Sequence, residues 1–227
     1  MATRFSDSFT RDLRYEPTRK RVRAQVGEAT VLDTTRALLV WEPDHTVPKY
    51  AAPLEDLDLE RLPAGSAREC PDPDLAGHLL LDWKAFDRWL EEDDEVVGHP
   101  HDPFHRVDVR RSSRHVRVEL DGAVLAESRA PTLVFETGHP VRFYFDPADV
   151  DQARLEPSPK QTTCAYKGHA SYWSVRVHGR LEPDLAWCYR DPLPDCVQLR
   201  GLIAFFNERT DISVDGEPEE RPHTQWS

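Results

Sequence analysis

Much of this chain is written twice, and that repetition constrains its fold more than any other feature. "RVRAQVGEATVLDTTRALLVWEPDHTVPKYAAPLEDLDLERLP" begins at Arg21, and "HVRVELDGAVLAESRAPTLVFETGHPVRFYFDPADVDQARLEP" begins at His115. At an offset of 94, Trp41-Glu42 matches Phe135-Glu136, His45 matches His139, Tyr50 matches Tyr144, Pro53 matches Pro147 and Cys70 matches Cys164, with a one-residue slip nearer the start. Further on, "AFDRWLEEDDEVVGHP" from Ala85 resembles "AFFNERTDISVDGEP" from Ala204 at an offset of 119. The larger offset means that a block of the second writing is missing from the first. That block is "YKGHASYWSVRVHGRLEPDLAWCYRDPLPDC", which the first writing bridges with "PDPDLAGHLLLDW". Self-similarity on this scale implies two units of one architecture, the second longer than the first.

The local pattern is β. In "HVRVELDGAVLAES", Val116, Val118 and Leu120 alternate with Arg117 and Glu119 and run into Asp121-Gly122, which predicts a tight hairpin. "TLVFETGHPVRFYF" predicts a second hairpin turning at 137–140, with Val141, Phe143 and Phe145 on one face of its return strand. Asp146-Pro147 has the chemistry of an N-cap and first residue of one helical turn. "SYWSVRVHG" reads as a further strand, with Trp173, Val175 and Val177 facing one way. Only residues 198–206 suit a short helix, and their "LIAFF" end equally suits a strand. The expected fold is mainly β: two small antiparallel units in tandem, arranged as a pseudo-dimer. The expected segments are a tail over 1–14, a shortened repeat over 15–98, a His/Pro-rich linker over 99–114 and a full repeat over 115–222.

Composition narrows the function classes. The 227 residues suffice for two units of roughly 100, each able to bury a workable core. A net charge of −12 opposes binding to nucleic acid, which draws on lysines and arginines. No run approaches the roughly 18 apolar residues of a membrane helix. The polar start "MATRFSDSFTRDLRYEPTRKR" lacks the apolar core of a secretory signal, so a cytoplasmic protein with no membrane partner is expected. The four cysteines form no CxxC pair, which argues for independent thiols over a zinc site or a disulfide framework. No cofactor is implied.

"CAYKGHASYWSVRV", with "RFYFDPADV" before it and "AWCYRDPLP" after it, resembles the bacterial family known as domain of unknown function 427. The linker "GHPHDPFHRVDVRRSSRHVRV" is similar to that of the family's two-copy members, and the resemblance spans roughly residues 20 to 222. Ala165 stands where the family usually has proline in Cys-Pro-Tyr-Lys-Gly. The resemblance implies a compact β fold akin to the tent-like sheets of methionine sulfoxide reductase B, without the paired zinc cysteines of those relatives. It implies no reaction, and the chain lacks the Gly-Ser and Asp-x-Asp motifs of a nucleotidyltransferase.

Candidate chemistry concentrates in the block that the first copy lacks. A nucleophilic Cys164 needs a nearby cation or base, and Lys167 and His169 stand close in sequence. The first copy keeps Cys70 without those partners, which favours a packing role for Cys164. Lys167 precedes Gly168, which permits a positive φ. With Tyr166 and Tyr172 beside it, Lys167 offers an ammonium and two phenols to one small anionic ligand. Glu136 recurs as Glu42 and reads as a cross-strand partner; if it meets Lys167, the two form an acid/base couple. Arg142 and Tyr144, with outward parity on the next strand, extend that surface, and Trp173 joins the ligand-binding set. His99, His101 and His105 have spacings that suit a metal, but Pro100 and Pro103 favour a rigid connector, and no metal set is assigned. The acidic run 91–95 reads as a solvated edge. Three functions fit: a small-molecule binding module, an enzyme using Cys164 or Lys167 as nucleophile with Glu136 or His169 as acid/base, and an interaction scaffold.

Overall fold

Asp121 and Gly122 take φ values of 48° and 77°, the left-handed pair that a type I′ hairpin turn requires. They close the strand Val116–Leu120 onto the strand Ala123–Ser128 within the second of two compact units. The computed structural model describes residues 12–227, so most of the expected amino-terminal tail lies outside the described residues. The units comprise residues 12–104 and 105–227.

The first unit contains β1 (Arg14–Pro17), β2 (Val22–Val26), β3 (Ala29–Thr34), β4 (Leu38–Trp41), β5 (Lys49–Pro53), β6 (Ala67–Glu69), β7 (His78–Leu81), β8 (Arg88–Glu91) and β9 (Asp94–Val96). They form two antiparallel sheets, ordered β1-β4-β5-β7-β6 and β3-β2-β8-β9. The second unit contains β10 (Val107–Arg111), β11 (Val116–Leu120), β12 (Ala123–Ser128), β13 (Thr132–Glu136), β14 (Arg142–Phe145), β15 (Leu155–Cys164), β16 (Gly168–Val177), β17 (Arg180–Tyr189), β18 (Ile203–Phe205), β19 (Asp211–Val214) and β20 (Glu217–Pro218). Its sheets run β10-β13-β14-β18-β17-β16-β15 and β12-β11-β19-β20. The strand orders repeat, and the hairpin β15–β16 is the addition. Alternating apolar residues from the paired sheets fill each unit's core, as with Val116, Val118 and Leu125 against Phe145, Val175 and Leu185.

Strand pairing corrects the sequence alignment in three places. Val22 and Val116 differ by 94, but their partners Glu91 and Val214 differ by 123, so the later equivalence is not 119. Cys70 follows β6, which pairs with β7, whereas Cys164 ends β15, which pairs with β16. Their match in sequence therefore marks no shared position, and the inference that Cys164 is framework loses its basis. In the third place, Leu39 lies opposite Tyr50 while Leu133 lies opposite Phe143, one residue out of step. Because side chains alternate with period two, that step sends Tyr50 and Tyr144 to opposite faces. Tyr50 joins the core with Leu39 and Trp89, while Ala51 sits with Val40 on the other face, where Leu75 and Leu80 close the surface. The equivalent face of the second unit carries Val134 and Tyr144, and it is hollow.

Asp146 caps the turn Pro147–Asp149 by accepting from Ala148 N at 2.9 Å. Within "LIAFF", Ile203–Phe205 are strand, and a short 3-10 helix lies earlier, at Pro194–Leu199. Arg142 and Tyr144 are buried despite their outward parity: the Arg142 guanidinium lies over the rings of Phe206 and Trp226, and Tyr144 packs edge-on against Trp187. Within the acidic run, Glu91 is buried: Tyr50 Oη donates to its Oε1 at 2.7 Å and Lys20 Nζ lies 2.5 Å from its Oε2. The rest of the run is exposed at the β8–β9 turn and on the edge strand β9.

Candidate functional site

The link between β15 and β16 is three residues, 165–167, closed by Cys164 opposite Gly168. A loop this short needs a residue at positive φ, and Gly168 supplies it at 95°. Ala165 is wholly buried, and Leu193 N donates to the Lys167 carbonyl at 3.2 Å. The turn thus aims the Lys167 side chain back over the sheet, where it is 8% exposed.

There Lys167 Nζ donates to Oε2 of Glu136, whose side chain is 9% exposed. The other carboxylate oxygen, Oε1, lies 3.1 Å from His105 Nε2. Burial alone would raise the Glu136 carboxyl. The hydrogen bond from His105 and the charges of Lys167 and His139 outweigh it and bring the group down to about 2. For Lys167, burial works against the ammonium, but the Glu136 carboxylate prevails and the amine is held above its ordinary value. An amine so held is a poor nucleophile and a lasting donor.

A cavity of about 240 Å³ opens beside this pair. Glu136, Arg142, Tyr144, Cys164, Lys167 and Tyr172 all line it, together with Trp187, Tyr189, Phe206 and Trp226. One cross-strand row of the sheet, Tyr144–Ala204–Trp187–Tyr172, forms its floor. Trp187 Nε1 donates to Tyr144 Oη at 3.1 Å, and Tyr172 Oη pairs with Thr162 Oγ1 at 2.8 Å. Arg142 is locked: its guanidinium makes two 2.7 Å bonds to Glu208 and lies 5.4–5.8 Å from the ring centroids of Trp187, Phe206 and Trp226. It is therefore architecture at the cavity wall, with its charge already matched.

The remaining sequence candidates lie outside the lining. Tyr166 stacks on His105 with ring centroids 4.3 Å apart. Gly168 packs near Leu193. His169 is exposed and bonds Thr163 Oγ1 at 3.0 Å, and Trp173 is half-buried against the core. Of the linker histidines, His99 bonds the Pro100 carbonyl, whereas His105 reaches Glu136. Among the described residues, the grouping able to share an ion is His105, Glu136 and His139, not the linker triplet. Sequence reasoning missed Tyr189, Trp226 and the role of His139. The repetition of "E-x-x-H" in both copies was the available signal for His139; Trp226 lies outside every repeat and gave none.

The sequence profile of a family described as domain of unknown function (DUF427) matches residues 14–73 and 108–216. The chain belongs to this family. The two matched segments fall one in each unit, and the second contains the whole added hairpin and most of the cavity lining. No curated protein matches the chain. The DUF427 match supplies the segmentation of the chain, and the site itself must supply the chemistry.

Proposed function

We propose that this DUF427 protein binds a small, acceptor-rich molecule, such as a monocarboxylate on a flat apolar body, in the cavity of its second unit. The observation that carries this reading is a surplus of donors. Lysine has three N–H groups, and among the described residues Lys167 gives one to Glu136. Tyr144 Oη accepts from Trp187 and keeps its own proton. Charge inside the cavity is balanced, Lys167 by Glu136 and Arg142 by Glu208. A ligand therefore needs acceptors more than it needs strong charge. Trp187, Tyr172 and Phe206 give the cavity an aromatic lining for its apolar part. The volume lies below the range of about 300–1,000 Å³ for drug-sized sites, so the ligand is compact.

Titration with benzoate, 4-hydroxybenzoate and nicotinate, read by tryptophan fluorescence, tests the reading. Saturable quenching is expected for the wild type, with loss of binding in a Lys167→Met/Glu136→Gln protein that keeps the cavity but removes the ammonium. Equal affinities in the two proteins sink the proposal.

A second reading rests on Cys164, whose thiol lines the same cavity as the Lys167 ammonium. A thiol that shares a cavity with a cation is a candidate nucleophile, which its labelling rate tests. Iodoacetamide labelling of Cys164 that is fast near neutral pH, and slowed in Lys167→Met, supports an enzyme; a slow, lysine-independent rate leaves the binding module.

A further inference from the structure

Glu136 and His139 face two cavities at once. They line the 240 Å³ cavity and also an open depression of about 290 Å³ formed with Arg106, Asp108, Phe135, Thr137 and Val141. His105 joins them at this boundary, and one ligating atom from each of the three residues lies within 4.8 Å of the other two.

The details resemble those of ligands prepared for a metal. His139 Nδ1 lies 2.9 Å from the Thr137 carbonyl, which fixes the N–H on that nitrogen and leaves the Nε2 lone pair outward. Trp226 stacks on the same ring at 5.6 Å and holds its plane. His105 is held by Tyr166, stacked at 15° between planes, with Nε2 directed at Glu136 Oε1; an ion that binds there displaces the proton now shared between them, which leaves to solvent. Lys167 grips the other oxygen, Oε2, and so orients the carboxylate for one-oxygen ligation. A backbone carbonyl on one histidine and an ammonium on the carboxylate are the outer contacts that ligands of this kind carry.

We infer that His105, Glu136 and His139 form a binding site for one divalent transition-metal ion, of which Zn²⁺ is the best fit. Two imidazoles and a carboxylate suit Zn²⁺ and its Co²⁺ analogue, whereas Mg²⁺ and Ca²⁺ call for oxygen ligands. Bonds of about 2.0–2.2 Å place neighbouring ligand atoms about 3.3 Å apart, so atoms within 4.8 Å of one another must close by at most about 1.5 Å, within the reach of a side-chain rotation. Three protein ligands leave an open position. The nearby Lys167 ammonium disfavours further positive charge, so an anionic fourth ligand is preferred there. The depression provides the route in. In the first unit, Lys49 and Arg68 occupy Glu42, and among the described residues no third ligand gathers with His45.

Titration of the full, chelator-treated chain with Co²⁺, followed by its visible d–d bands, tests the site. One equivalent is expected to bind. His105→Ala and His139→Ala should each weaken binding by at least about tenfold, while His178→Ala, at an exposed histidine, should leave it unchanged. Absence of saturable bands, or equal affinity in all three variants, overturns the inference. A wild-type measurement covers the case of a variant that does not fold. On Zn²⁺ addition, the imidazole ¹⁵N resonances of His105 and His139 should move; a spectrum in which neither moves rejects the site.

Discussion

Lys167 and Glu136 are each affordable inside the protein only because of the other. Removing one partner of a buried pair leaves an uncompensated charge, at a cost of about 3–5 kcal/mol. Lys167→Met should therefore destabilise the second unit by that order in urea melts, and Lys167→Met/Glu136→Gln should recover much of it. Glu208 gives the pH dependence. Burial opposes its ionised form, but the bonds from Arg142 hold the carboxyl below its ordinary 4.5. A group depressed in the folded state contributes stability that is full above the unfolded value and is lost as pH falls through the lower folded value. Thermal stability should thus decline below pH 4.5; Glu208→Gln should be less stable at neutral pH, and the gap should narrow in acid. Gly168 is the third test, since alanine at a φ of 95° costs about 1–3 kcal/mol. Lysine before glycine was legible in the sequence as a special turn. The burial of Arg142 was not, because its partners Glu208 and Trp226 come from distant segments whose approach no local pattern encodes.

Hairpins were the most legible elements, since Asp-Gly after strict alternation leaves few alternatives, and β11–β12 turns at that dipeptide. Register was less so. The loops before Tyr50 and Tyr144 are of equal length in sequence, so nothing there signals the one-residue step that separates their faces. The added hairpin has its own prediction. Strand β15 lies at the sheet edge, paired only with β16, with a break in register between Pro157 and Gln161 and mostly exposed residues. Strands β14, β17 and β18 are flanked on both sides. Amide exchange should therefore be fastest along 157–161 and slowest in β14 and β18. Protection along 157–161 as strong as in β14 would mean that a further contact covers this edge. Ligand that engages Thr162 or Cys164 in the cavity wall should slow exchange at the end of β15.

At the scale of the whole chain, the two cores share no residue. The cluster built on Phe145, Leu185 and Phe205 draws only on residues after 105, and those built on Trp41 and on Val40 draw only on residues before 104. Each unit thus repeats much of the other's strand order around a core of its own. The first unit fills its outer face with Leu75 and Leu80, while the second extends that sheet by two strands and leaves a cavity. A fragment of residues 105–227 should accordingly give dispersed amide spectra and a cooperative melt. Every residue assigned above to the cavity lies in that fragment, so its affinity for a bound carboxylate should equal that of the full chain. A folded fragment with weakened binding would instead place part of the recognition in the first unit, and would make that unit a participant in the site.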